Sequence, residues 1–112
     1  MRFISTRLWC AAVFFTSLAL TIGAHAATPS KAESIKAGEE VFTKNCFQCH
    51  SVQPDQVRFG PSLYNELKKP HPKKTDAEVR QILKGGKNKM PAFGEKLSKQ
   101  ETDDLLSYLH TL

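Results

Sequence analysis

Past residue 26 the chain contains no tryptophan, a single methionine and only two cysteines. Each shortage removes an explanation. Cys46 and Cys49 cannot form a disulfide framework, because a bridge between them would close too small a loop to hold a fold together. No stretch alternates apolar and polar residues for long, so β-sheet has no signal, and no internal repeat is visible. The longest apolar run, Leu8 to Ile22, is shorter than the roughly 20 residues that cross a bilayer comfortably. Charge of one sign is not in large excess either. Arg2 and Arg7 precede that run, which leaves 14 of the 16 basic residues against 11 acidic ones, a net charge of +3 with neutral histidines. So weak a bias gives no reason to expect nucleic acid as a partner.

The first residues separate from the rest as an export signal. A short basic start, the apolar run and Ala24-His25-Ala26 supply the three parts that a signal peptidase reads. Residues 1–26 are therefore expected to be a signal peptide cleaved before Ala27, with residues 27–112 as the exported domain. A retained membrane anchor is the alternative, and a membrane association is expected only in that case. Cys10 lies inside the apolar run, where it reads as a spectator. What remains after cleavage is one small domain with too little chain for a large core, so an added staple is expected.

That staple is indicated by Cys46-Phe47-Gln48-Cys49-His50, the Cys-x-x-Cys-His pattern of covalent haem attachment. Two thiols at this spacing can add to the two vinyl groups of a haem, and the histidine that follows can ligate its iron. On a helix the three side chains would stand at i, i+3 and i+4 and share a face. A zinc half-site would want further ligands, and beyond the motif only His71 and His110 are available. A thioredoxin-like pair should sit beside a βαβ pattern, and none is present. Outside the cytoplasm, where this chain is expected to go, haem c is attached to such motifs in bacteria.

Taken in order, the chain carries three capping boxes. Ser30-Lys31-Ala32-Glu33 opens a helix whose Ile35, Gly38, Val41 and Phe42 recur at helical spacing up to the motif. Gly38 costs about 1 kcal/mol relative to alanine in a helix interior, which is explained if a second helix crosses there; the plainer explanation is a tolerated surface glycine. Ser51 to Gly60 is a loop. Leu63, Tyr64 and Leu67 suit a short helix ended by Pro70-His71-Pro72. Thr75 to Glu78 opens a helix stopped at Gly85-Gly86, and Ser98 to Glu101 opens the last one, with Leu105, Leu106, Tyr108, Leu109 and Leu112 on its apolar side. The fold expected is all-α, with three main helices and a short one wrapped around a covalently bound haem.

The second iron ligand has one soft candidate. Met90 lies in a loop of Lys, Asn, Gly and Pro, and Pro91 biases it away from helical geometry. A thioether favours ferrous iron and raises the reduction potential. The alternative is a methionine that fills a core gap. His71 sits between prolines in a basic stretch and His110 is expected to face solvent, so both are weaker candidates. Arg58 could pair with a haem propionate or be an ordinary exposed loop arginine. Tyr64 could put its hydroxyl on a propionate, and partial burial explains it equally well.

Gly38 and Phe42, then Cys46-x-x-Cys49-His50, Gly60-Pro61, Met90-Pro91 and Tyr108-Leu109 together resemble the class I c-type cytochromes, particularly the small bacterial ones, over residues 32–112. The resemblance implies that fold, with Gly38 and Phe42 meeting Leu105, Tyr108 and Leu109. It also implies that the carbonyl of Pro61 accepts the proton on the other nitrogen of His50. Features of the family that need a tryptophan are absent here.

A six-coordinate haem with no open site and no acid–base constellation is built for electron transfer. The expectation is a monomeric periplasmic electron carrier and not an enzyme, with one haem c on Cys46 and Cys49 and His50 and Met90 on the iron. Lys44, Lys84, Lys87 and Lys89 would ring the haem edge and steer redox partners with acidic docking patches, unless they merely solubilise the domain. The alternatives are a haem subunit of a periplasmic dehydrogenase or sulfur-oxidising complex, and a five-coordinate haem enzyme or sensor.

Overall fold

A computed structural model describes residues 28–112; the signal peptide expected over residues 1–26 lies outside the described residues. The described chain folds into three helices, α1 over Lys31–Asn45, α2 over Asp76–Gly85 and α3 over Lys99–Leu109, with no strand among the described residues. Each helix starts where a capping box predicts. Glu33 N donates to Ser30 Oγ at 3.3 Å while Ser30 N donates to Glu33 Oε2 at 2.7 Å. Thr75 with Glu78 and Ser98 with Glu101 repeat the same reciprocal pair. Two orphan amides are satisfied at each start, which makes the boundaries local properties of the sequence.

The core forms where α1 crosses α3. Gly38 is the contact point: a Cβ on it would lie 1.9 Å from Asp104 O and 2.8 Å from Tyr108 Cβ, so no side chain fits. Either side of the crossing, Phe42, Leu105 and Leu109 are buried, and the Phe42 and Tyr108 rings sit 5.7 Å apart. Those are the partners expected for Gly38 and Phe42, and the surface-glycine explanation falls. Leu67, Leu83 and Leu97 extend the same core from the loops and α2. α2 is held to α3 by a charged cluster in which Asp103 meets Arg80 at 2.5 Å and Lys99 at 2.8 Å.

Two expectations are corrected. The short helix around Leu63, Tyr64 and Leu67 does not form; residues 64–67 make turns and bends instead. Asn65 has φ 57°, a left-handed conformation that ends any right-handed helix, and only Glu66 N bonds back one turn, to Leu63 O at 3.3 Å. Leu67 still reaches the core with no exposure, while the buried Glu66 carboxylate is met by Lys73 and Lys74. His110 does not simply face solvent. Its Nδ1 lies 2.9 Å from the carbonyl oxygen of Leu67 and its Nε2 lies 2.8 Å from Asp76 Oδ1. The end of α3 is thereby clamped to both the turn at Leu67 and the start of α2.

Gly38→Ala is expected to destabilise the protein by about 3 kcal/mol, the upper end for overpacking a filled contact, measured by denaturant unfolding of the haem-loaded protein. Hydrogen bonds from Lys99 and then Arg80 hold the Asp103 carboxyl below its ordinary value. A carboxyl depressed in the folded state contributes stability above its unfolded pKa and loses it as the pH falls through the folded one. Asp103→Asn should therefore lower stability at neutral pH and flatten its loss on acidification below about pH 4, read from unfolding midpoints across a pH series.

Candidate functional site

The Cys-x-x-Cys-His motif begins where α1 ends. Cys46 caps the helix, its amide donating to Phe42 O at 2.8 Å. Cys49 N and His50 N then both donate to Cys46 O, at 3.0 and 2.8 Å, so the motif is a single turn leaving the helix. Cys46 is buried and Cys49 exposed, with no disulfide between them. Burial, and secondarily the neighbouring Cys49, pushes the free Cys46 thiol up to about 11. The thioredoxin-like alternative lacks its sheet context, since no strand forms among the described residues. The zinc alternative loses support: among the described residues no group of three or more His, Cys, Asp or Glu side chains converges.

His50 is buried at 9% exposure, and its Nδ1 lies 2.8 Å from the carbonyl oxygen of Pro61. A carbonyl only accepts, so Nδ1 carries the proton and Nε2 keeps its lone pair free for a metal. Gly60 makes this approach possible. A Cβ there would stand 2.5 Å from His50 Cε1, which means the backbone lies flat on the imidazole. The loop that brings Gly60 and Pro61 back is tied to the motif at several points. Gly60 N donates to Cys49 O and Leu63 N to Ser51 O, both at 2.8 Å. Ser51 is almost wholly buried; its Oγ donates to Gln56 Oε1 at 2.6 Å and accepts from Gln53 N at 3.0 Å.

Arg58 is placed on the motif itself. Its Nη1 donates to Phe47 O at 2.8 Å, and its guanidinium carbon stands 4.2 Å from the centre of the Phe47 ring. Tyr64 is half-buried, its amide donating to Ser62 Oγ at 3.2 Å. Met90 sits in a tight hairpin, Lys87 and Met90 exchanging backbone bonds of 3.1 and 2.9 Å, and packs half-buried against the core. Lys44, Lys84, Lys87 and Lys89 are all exposed, whereas His71 is exposed between its prolines and His110 has both ring nitrogens occupied by protein acceptors. The structural parts of Ser51, Arg58 and His110 escaped the sequence reading. Arg58 and His110 act through partners eleven or more residues away, and Ser51 through a loop whose path is set by packing, for none of which composition carries a signal.

Two thiols in one turn, a buried imidazole with an oriented proton and a small helical body crossing on a glycine define a protein built to carry a covalently attached haem. Comparison with known proteins agrees. The family model described as cytochrome C oxidase, cbb3-type, subunit III matches residues 33–109. A cytochrome c6-like protein of Nostoc sp. is 31% identical over 81 residues, 72% of this chain and 73% of that protein. A cytochrome c6 of Synechococcus sp. is 35% identical over 90 residues, 80% of each chain. The solved structure of cytochrome c6 from the diatom Phaeodactylum tricornutum aligns with a TM-score of 0.53 at 34% identity, covering 67% of this chain and 88% of that one. The chain belongs to the class I c-type cytochromes, as a small, single-haem member.

The His50 contact separates two substitutions that sequence alone treats alike. Pro61→Ala retains the accepting carbonyl and should leave the Nδ1 proton resonance of His50 nearly unmoved. Gly60→Ala, which puts a methyl group into the imidazole, should displace that resonance and lower the stability of the haem-loaded protein by about 2 kcal/mol. Proton NMR and denaturant unfolding check both.

Proposed function

We propose that this protein is an exported electron carrier whose single haem c is joined through thioether bonds to Cys46 and Cys49 and whose iron is ligated by His50 and Met90. The observation that supports the reading is the 2.8 Å contact of His50 Nδ1 with the Pro61 carbonyl, because it leaves the opposite nitrogen unprotonated and available to a metal. When bound, the haem supplies a one-electron Fe(III)/Fe(II) couple. The chain does the rest. Pro61 fixes the ring plane and tautomer of His50, and its carbonyl makes the imidazole a better donor. Met90 offers an uncharged thioether, which favours the reduced state and raises the potential relative to a second imidazole. With both ligands held, no position is left open for a substrate, so the protein is not an enzyme in this reading.

In this reading Arg58 and Tyr64 serve the haem propionates, Arg58 keeping further N–H groups beyond the one given to Phe47. The exposed Lys44, Lys84, Lys87 and Lys89 steer redox partners that present acidic patches, an effect on encounter rate that salt suppresses. Among the described residues no helix is long and apolar enough to cross a membrane. In the proposed location, the periplasm, the mature monomer begins at Ala27. A second reading, a haem subunit with a permanent partner, is favoured by the oxidase-subunit description of the matching family model. Size-exclusion chromatography of native extract separates the two, because a free carrier elutes alone.

A redox titration with the absorption spectrum recorded alongside tests the main reading. The ferric protein should show a far-red sulfur-to-iron charge-transfer band, and Met90→Ala should abolish it and lower the reduction potential. A wild-type protein without that band would remove Met90 from the iron and return the five-coordinate alternative.

A further inference from the structure

The segment that carries Met90 is seated on α2 by backbone contacts that leave no room for a side chain, and the two adjacent glycines at the end of α2 differ sharply in this respect. Gly86 caps the helix with φ 75° and ψ 175°, a backbone region that essentially only glycine occupies. A Cβ on it would stand 2.6 Å from Met90 O, 3.0 Å from Ala92 N and 3.1 Å from Pro91 C. All three are backbone atoms of the Met90 segment. Further along, a Cβ on Gly94 would stand 2.9 Å from Lys84 O. Gly85, by contrast, has nothing within 4 Å of where its Cβ would lie.

Hydrogen bonds complete the seat. Gly86 N donates to Ile82 O and Phe93 N donates to Leu83 O, each at 2.7 Å, so both ends of the loop take carbonyls that the end of the helix would otherwise leave unpaired. Between them the Lys87–Met90 hairpin turns through Asn88 at φ 54°. An L-residue at 86 is strained at φ 75°, and relief by moving to negative φ redirects the chain immediately after α2. The carbonyl of Met90 then loses the surface it rests on.

We propose that Gly86, with Gly94 behind it, is a positioning residue for Met90: the bare Cα atoms let residues 90–94 lie on the last turn of α2 and so hold the thioether where it meets the iron. The proposal rests on the reading of Met90 as an axial ligand. It makes the reduction potential depend on a residue that touches no haem atom, through the placement of the methionine.

The test compares Gly85→Ala, Gly86→Ala and Gly94→Ala in the haem-loaded protein, by the far-red charge-transfer band, the reduction potential and amide hydrogen exchange. Gly86→Ala should lose most of the band, shift the potential down towards that of Met90→Ala and speed exchange at Lys87, Met90 and Phe93. Gly85→Ala should leave all three readouts as in the wild type. Retention of the wild-type band and potential in Gly86→Ala overturns the proposal. Should that chain give no haem-loaded protein, Gly94→Ala decides: a weakened band with faster exchange at Phe93 supports the proposal, and unchanged values overturn it. If the wild type itself shows no band, the reading of Met90 as ligand fails, and equal exchange rates at Met90 in the Gly85 and Gly86 variants would overturn the seat separately.

Discussion

Between α1 and α3 there is no space for even a methyl group at position 38, and the remainder of the structure follows from that contact. The carbonyl of Asp104 occupies the place a Gly38 Cβ would need. Close approach there brings Phe42 onto Tyr108 and buries Leu105 and Leu109, a core of modest size in a short chain. Cys46 leaves the same helix one turn beyond Phe42, so the orientation of the crossing also aims the haem-binding turn. The roughly 1 kcal/mol that glycine costs inside a helix is small beside what overpacking this contact would cost.

The His50 turn and the Met90 segment are held by different means. His50 is fastened to the end of α1 through Cys46 O and to a returning loop through Pro61 O, and that loop is tied down in turn by Ser51, Gly60 and Arg58. Met90 hangs on the last turn of α2, which reaches the body through Leu83, the Arg80 contact with Asp103 and the Asp76 contact with His110. α2 therefore transmits its position to the methionine side, whereas the histidine side belongs to α1. A perturbation confined to α2 therefore acts on the Met90 segment and leaves the His50 turn in place.

Much of this was legible in the chain because the governing signals are local. Each capping box needs only residues three apart, and all three helices begin where their boxes lie. The motif is covalent chemistry in five consecutive residues, and membership of the cytochrome family bears out a single haem c on it. Gly38 was readable as a puzzle and its partners only through family resemblance. The short helix expected at Leu63 to Leu67 shows where local pattern misleads: the apolar spacing is helical, yet Asn65 takes a left-handed conformation and Leu67 is drawn into the core without a helix.

By itself, then, the sequence determined where the three helices begin, the attachment motif and its thiol and imidazole groups, since each depends on side-chain chemistry at short separation. Only the tertiary structure decided that His110 is a clamp, that Arg58 lies on Phe47, that the Pro61 carbonyl reaches His50 and that Gly86, not Gly85, bears the Met90 segment. Each of those contacts has a backbone group on at least one side, which every residue possesses alike, and joins parts of the chain that only the fold brings together.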